Sequence, residues 1–285
     1  MPEGDTIFRT ARTLGRALSG NAIAGFRSTY PNLTRFHEDT PLIGQTVTSV
    51  ESRGKWLLLF FSGGGVLATH MLMSGSWHIY RPGERWQQPR ANMRIQLETA
   101  AFVAVGFKVP VAKLVWARDV ERVLRIPAAA IDVLSPEFDA VEVERRVRLC
   151  AGEEIADVLL HQEVMAGVGN EFKSEICFVT GVNPFTKVGA LREGEVKALI
   201  ASSRRLVKAN VLEDSGDGMV TYGGRHRRTT HAADPAARVW VYGRNGEDCR
   251  RCGEMIRRRI QGPDARVTFW CQGCQPMPDG GDVEG

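Results

Sequence analysis

The sequence predicts a multi-domain α+β fold, and three observations carry that prediction. One amphipathic helix opens a strand-rich first half, helical periodicity takes over in the second half, and two Cys-x2-Cys pairs stand near the end. At 285 residues the chain exceeds the usual single domain of about 100–200 residues, so two separate cores are expected. Hydrophobic residues at 43% and charged residues at 25% exclude a disordered chain. No run of about 18 apolar residues exists, so no membrane span is predicted. The opening Met1-Pro2-Glu3-Gly4-Asp5-Thr6 lacks the apolar stretch of a secretory signal, so a cytoplasmic protein is expected.

Residues 5–18 read as a helix because Ile7, Phe8, Ala11, Leu14 and Leu18 recur along one helical face, with Asp5 or Thr6 able to cap its start. From about 45 to 116 come short apolar runs, 56–61, 66–72, 93–97 and 102–107, separated by Gly and Pro clusters. That texture predicts a β-sandwich within an N-terminal domain of residues 1–125. Residues 126–138 carry Pro127 and Pro136 and read as a hinge. A helical domain follows over 139–238, with helices expected at 141–149, 155–161, 170–179 and 195–210. Its 213–235 stretch, rich in Gly, Asp, Thr and Arg, reads as a mobile loop. Residues 239–276 hold the cysteine pairs, and 277–285 form a polar tail.

Cys249 and Cys252, then eighteen residues, then Cys271 and Cys274 match the spacing of a four-thiolate zinc site. Four thiolates leave no coordination position for water, so a single structural Zn2+ is expected. Cys150 and Cys177 lie in apolar helical patterns and are expected to be buried bystanders. The formal net charge is only +4, but arginine clusters late, at Arg225, Arg227 and Arg228, at Arg250 and Arg251, and at Arg257, Arg258 and Arg259. Guanidinium groups on a zinc hairpin suit phosphate binding. On these features alone, a nucleic-acid-binding module without catalysis fits as well as an enzyme.

The segment 162–170 joins two helices through Gly167 and Gly169, which permit a tight turn and would aim the next helix's free N–H groups at an anion. An ordinary helix-to-helix turn, with Asn170 as its cap, satisfies the same residues.

Five motifs then occur in one order: Pro2-Glu3-Gly4-Asp5-Thr6, Arg53-Gly54-Lys55, the segment 70–77, the segment 159–184, and Cys271-Gln272-Gly273-Cys274-Gln275. On these motifs the chain resembles the formamidopyrimidine-DNA glycosylase and endonuclease VIII family, Fpg/Nei, over nearly its whole length. The resemblance implies an N-terminal β-sandwich with an N-terminal helix, then a helix-two-turn-helix domain with a four-cysteine zinc finger. It also implies damaged double-stranded DNA as partner, no nucleotide cofactor, a monomer, and a place on the bacterial nucleoid during repair. The implied activity is that of a bifunctional DNA glycosylase and abasic-site lyase of base excision repair. The opening Pro-Glu-Gly-Asp resembles the endonuclease VIII branch, which favours oxidised pyrimidines. An enzyme preferring 8-oxoguanine or formamidopyrimidine is the alternative, followed by an inactive DNA-binding relative.

The chemistry assigns roles. Attack on a sugar carbon needs a neutral amine, and a chain-terminal amine has a pKa about two units below that of lysine. Pro2 offers one once Met1 is removed, and its secondary amine would give a permanently cationic iminium that promotes β,δ-elimination. The resemblance implies that Glu3 shuttles protons as general acid and base, that Lys55 contacts phosphate and donates a proton, and that Arg266 clamps the phosphate beside the lesion. It further implies that Met73, with Leu72 beside it, fills the gap left by the extruded base, and that Asn170 contacts DNA. His161 departs from the family pattern, which commonly places an acidic residue there.

Overall fold

The computed structural model describes residues 2–212, 229–230 and 237–277. The expected loop over 213–235, apart from Thr229 and Thr230, lies outside the described residues, as do Arg225, Arg227, Arg228 and the tail from 278. The described residues form two compact units, one up to Ala128 and one from Ala129 onward.

The first unit begins with α1 (Gly4–Leu18), β1 (Gly25–Ser28), α2 (Pro31–Asp39), β2 (Val47–Arg53), β3 (Trp56–Phe61) and β4 (Gly65–His70). It continues through β5 (Ser76–Tyr80), β6 (Met93–Glu98), β7 (Val103–Phe107), β8 (Val111–Trp116) and α3 (Val120–Leu124). Its strands make two antiparallel four-stranded sheets, ordered β1-β6-β7-β5 and β2-β3-β4-β8. Leu57, Leu59 and Leu67 of one sheet share a core with Trp77, Ile95, Leu97 and Ala104 of the other. Ile7, Ala11, Leu14 and Leu18 of α1 close the same core, as the helical spacing requires. Leu58, Val66 and Ala68 point the other way and pack on Val120 and Leu124 of α3. Burial on both faces explains why β3 is an unbroken apolar run rather than an alternating one. The run expected over 66–72 stops as a strand at His70, because residue 72 turns into the left-handed region.

The second unit contains α4 (Ala140–Leu149), α5 (Ile155–Val158), α6 (Asn170–Thr180), α7 (Glu193–Leu212), β9 (Ile256–Gln261) and β10 (Arg266–Cys271). Asp139 caps α4, its carboxylate accepting the N–H of Val141 at 2.9 Å and of Glu142 at 3.2 Å. The helix expected over 155–161 is shorter: Leu160 N–H bonds the Asp157 carbonyl and His161 N–H the Val158 carbonyl, tightening the chain into turns. Gly181, at φ 71, ends α6. Val143, Val147, Phe172, Ile176, Leu199 and Val207 form the helical core.

The β9–β10 hairpin docks on α6 through polar contacts. Lys173, fully buried, donates from Nζ to Thr268 Oγ1 at 2.8 Å, and Ser174 Oγ accepts the Phe269 N–H at 3.3 Å. Among the described residues, no helix is long and apolar enough to cross a membrane.

Candidate functional site

The mouth of α1 is closed to solvent. Pro2 is buried and Glu3 is 1% exposed, with its backbone extended at the N-cap position. Glu3 does not cap the helix through its side chain; its carbonyl accepts the Ile7 N–H at 3.1 Å. Asp5, also fully buried, receives Arg9 at 3.4 Å and the Thr6 hydroxyl at 3.3 Å. Both carboxylates stand where the helix dipole favours negative charge.

Lys55 occupies the hairpin turn between β2 and β3, beside Gly54 at φ 58, with Arg53 pairing Trp56 across the ladder. Both strands pack on α1, which fixes the Lys55 turn and the Pro2–Glu3 end within one unit. Trp56 pairs in turn with His70 at the end of β4. Burial and then the charge of Lys55 push the His70 imidazole down to about 4, so near neutral pH it is uncharged. Its Nδ1 accepts the Leu72 N–H at 3.2 Å.

That bond helps hold a tight turn. Leu72 sits at φ 43, an uncommon position for a side-chain-bearing residue, and Gly75 N–H returns to the Met71 carbonyl at 2.8 Å. A Cβ on Gly75 would meet the Met71 backbone at 2.9 Å and Val109 Cα at 3.1 Å, so only glycine fits. The result is an apolar tip, with Leu72 45% and Met73 64% exposed. Exposed Lys108, at φ 47 in the turn after β7, lies alongside: its carbonyl accepts the Ser74 hydroxyl at 3.4 Å. Sequence reasoning gave His70, at the start of the 70–77 motif, no role of its own and missed Lys108 as a neighbour of this tip. The Gly-x-Lys spacing at 106–108 resembles any strand end, so no local signal could have found Lys108.

In the second unit, Gly169 rather than Asn170 takes the N-cap position of α6. Asn170 is the first helical residue; its Nδ2 donates to the Val267 carbonyl at 2.9 Å, while its buried Oδ1 has no protein partner. This bond ties the helix start to β10 one residue after Arg266, which is half-exposed and opens that strand opposite Gln261. Gln162 fastens the preceding glycine turn, donating to the carbonyls of Leu160 at 2.8 Å and Val168 at 3.0 Å and accepting the Gly167 N–H at 3.1 Å. Arg257, Arg258 and Arg259 are exposed along β9.

Cys249, Cys252, Cys271 and Cys274 bring their sulfurs within 4.8 Å of one another. The Cys249–Cys274 pair is 3.8 Å apart and the Cys252–Cys271 pair 3.4 Å. Sulfurs about 2.3 Å from a tetrahedral ion stand about 3.8 Å apart, so the four are placed to bind one metal ion. Cys177 is buried as expected, with burial pushing its thiol up to about 12. Cys150 is only partly buried: it stands at the C-cap of α4 and packs against the edge of the helical core.

Comparison with known proteins adds an independent line. The family described as formamidopyrimidine-DNA glycosylase N-terminal domain matches residues 1–108. A protein named probable endonuclease 8 2, from Streptomyces coelicolor, is 34% identical over 98% of this chain and 95% of its own length. The DNA-(apurinic or apyrimidinic site) lyase Nei2 of Mycolicibacterium smegmatis is 33% identical over 96% of this chain and 99% of its own. Among solved structures, the Lactococcus lactis Fpg in complex with abasic-site DNA superposes with a TM-score of 0.78 at 21% identity, covering 97% of this chain and 100% of that one.

Proposed function

The chain belongs to the formamidopyrimidine-DNA glycosylase and endonuclease VIII family, and from that premise we propose that it excises oxidised pyrimidines from DNA through an iminium on Pro2. It is a bifunctional DNA glycosylase and abasic-site lyase of base excision repair. Its partner is damaged double-stranded DNA, met in the cytoplasm, where it works as a monomer. The names of the relatives, endonuclease 8 at 30–34% identity, support the pyrimidine branch.

The observation that carries the mechanism is the buried Pro2–Glu3 pair at the mouth of α1. With Met1 removed, the Pro2 nitrogen attacks C1′ of the damaged nucleotide. Glu3 moves protons at the sugar ring oxygen and assists departure of the base. The base leaves with the electron pair of its bond to C1′, and the nitrogen gives up its proton. The C1′–O4′ bond then opens with its pair going to O4′, which Glu3 protonates, and the nitrogen lone pair closes the iminium that draws electron density from C2′. A C2′ proton is then lost, and the 3′ phosphate leaves, followed by the 5′ phosphate. Lys55 binds phosphate and donates a proton during elimination, and Arg266 grips the phosphate beside the lesion through its guanidinium fork. Leu72 and Met73 enter the stack where the base has left, and Asn170 contacts the DNA backbone.

The four cysteines suit Zn2+, since an all-thiolate set of this spacing favours that ion and closes its coordination sphere. Its part is to hold the hairpin that carries Arg266, not to take part in bond breaking.

Borohydride reduction during turnover tests the reading. We expect a covalent protein–DNA adduct mapping to Pro2 on a thymine glycol duplex. An adduct that maps elsewhere, or one formed equally by protein retaining Met1, overturns the assignment.

A further inference from the structure

We propose that Cys150, Glu153 and His161 form a second metal site, for a borderline divalent ion such as Zn2+, distinct from the four-cysteine cluster. The thiol, a carboxylate oxygen and an imidazole nitrogen of these residues all lie within 4.8 Å of one another. His161 Nε2 and Glu153 Oε2 are 3.5 Å apart. Sulfur, nitrogen and oxygen donors together suit Zn2+, and three protein ligands leave a fourth position to water.

The local backbone explains the convergence. Cys150 ends α4, and the Glu153 N–H bonds the Cys150 carbonyl at 2.9 Å, so a tight turn brings the two side chains together. Because α5 stops at Val158, the His161 N–H bonds the Val158 carbonyl and the chain folds back to place the imidazole at the same spot. Had the helix run on to His161, the ring would have been carried elsewhere. The three groups are accessible: the Glu153 side chain is 49% exposed, His161 30%, and Cys150 half-exposed. Ligands about 2.0–2.3 Å from an ion lie somewhat closer together than 4.8 Å, a contraction that the exposed Glu153 side chain supplies by rotamer change.

The surrounding charge favours a cation. Burial first, and then the carboxylates of Glu153 and Glu163, push the Cys150 thiol up, and His161 lies close enough to Asp157 to act on its carboxyl. Arg146, one turn before Cys150, is engaged by the Glu142 carboxylate at 2.7 Å and donates to the Glu163 carbonyl at 2.6 Å. On binding, the Cys150 proton, which points to the Arg146 carbonyl at 3.7 Å, is released to solvent and the thiolate takes the metal.

Metal counting on the full chain, with Zn2+ and with Co2+ as a spectroscopic probe, tests this. Wild type is expected to bind two ions per chain, the second bringing a thiolate-to-cobalt absorption from one sulfur. Loss of an outer-shell partner alone weakens a site about 10- to 100-fold, so Cys150→Ser and His161→Asn should weaken the second ion by more than about 100-fold while the first is retained. Glu153→Gln, at an exposed position that folding does not need, should weaken it too. One ion per chain in wild type, or a second ion that survives all three substitutions, overturns the proposal and leaves the His161–Glu153 contact as a simple ion pair.

Discussion

Glu175 should be the residue on which the mounting of the metal hairpin depends most. It lies on α6, fully buried, and its carboxylate accepts the backbone N–H groups of Trp240, Val241 and Tyr242, each at 2.8 Å, together with the Thr229 hydroxyl. These three amides lead directly into the first cysteine pair. Glu175→Ala orphans all three, and a buried unsatisfied donor costs about 1–3 kcal/mol. Val241 is fully buried, whereas Trp240 and Tyr242 are half-buried and water can reach them. The total should therefore be near the low end, about 3–5 kcal/mol. Glu175→Gln can keep the oxygen that serves Val241 and Tyr242 but turns an NH2 toward the Trp240 N–H, so about 1.5–3 kcal/mol is expected. Equilibrium urea unfolding measures both, and metal retention by the four cysteines should fall in the same order. A loss below about 1 kcal/mol for Glu175→Ala would refute the reasoning.

Two further outcomes follow from the first unit. His70 is depressed from 6.5 to about 4 by burial and by Lys55, so the unfolded chain binds its proton first as pH falls. The folded state should then lose up to about 3 kcal/mol as pH drops from 6.5 toward 4, with full stability above 6.5. His70→Gln should flatten that part of the stability–pH curve, and an unchanged slope would remove the claim. Met73 is 64% exposed, so Met73→Ala should leave stability within about 0.5 kcal/mol. It should slow base excision from duplex DNA yet spare cleavage of single-stranded abasic DNA, which has no stack to refill. Equal losses on both substrates would count against the wedge.

Much of this molecule is legible because its signals are local. The helical face of Ile7, Ala11, Leu14 and Leu18 reads directly from their spacing, and all four are buried as that spacing requires. The two Cys-x2-Cys pairs likewise predict a cluster that the fold assembles. Other features are invisible until the chain folds. Residues 155–161 carry a helical pattern, yet α5 ends after four residues, where the Leu160 and His161 N–H groups turn to the carbonyls of Asp157 and Val158, three residues back. Cys150 reads as a core residue by pattern, but at the end of α4 it lies on the edge of the core, only partly buried.

The sequence by itself determined the α+β class, the order of strand-rich and helical regions, the four thiolates and the family motifs. Each of these depends on residue type and short-range periodicity. Tertiary structure alone decided that His70 would lie under the charge of Lys55, that Glu175 would hold a segment 65–67 residues away, and that Cys150, Glu153 and His161 would converge. Such meetings depend on where distant backbone segments stop and turn, and hydrogen bonds that close large loops leave no periodic trace in the chain that makes them.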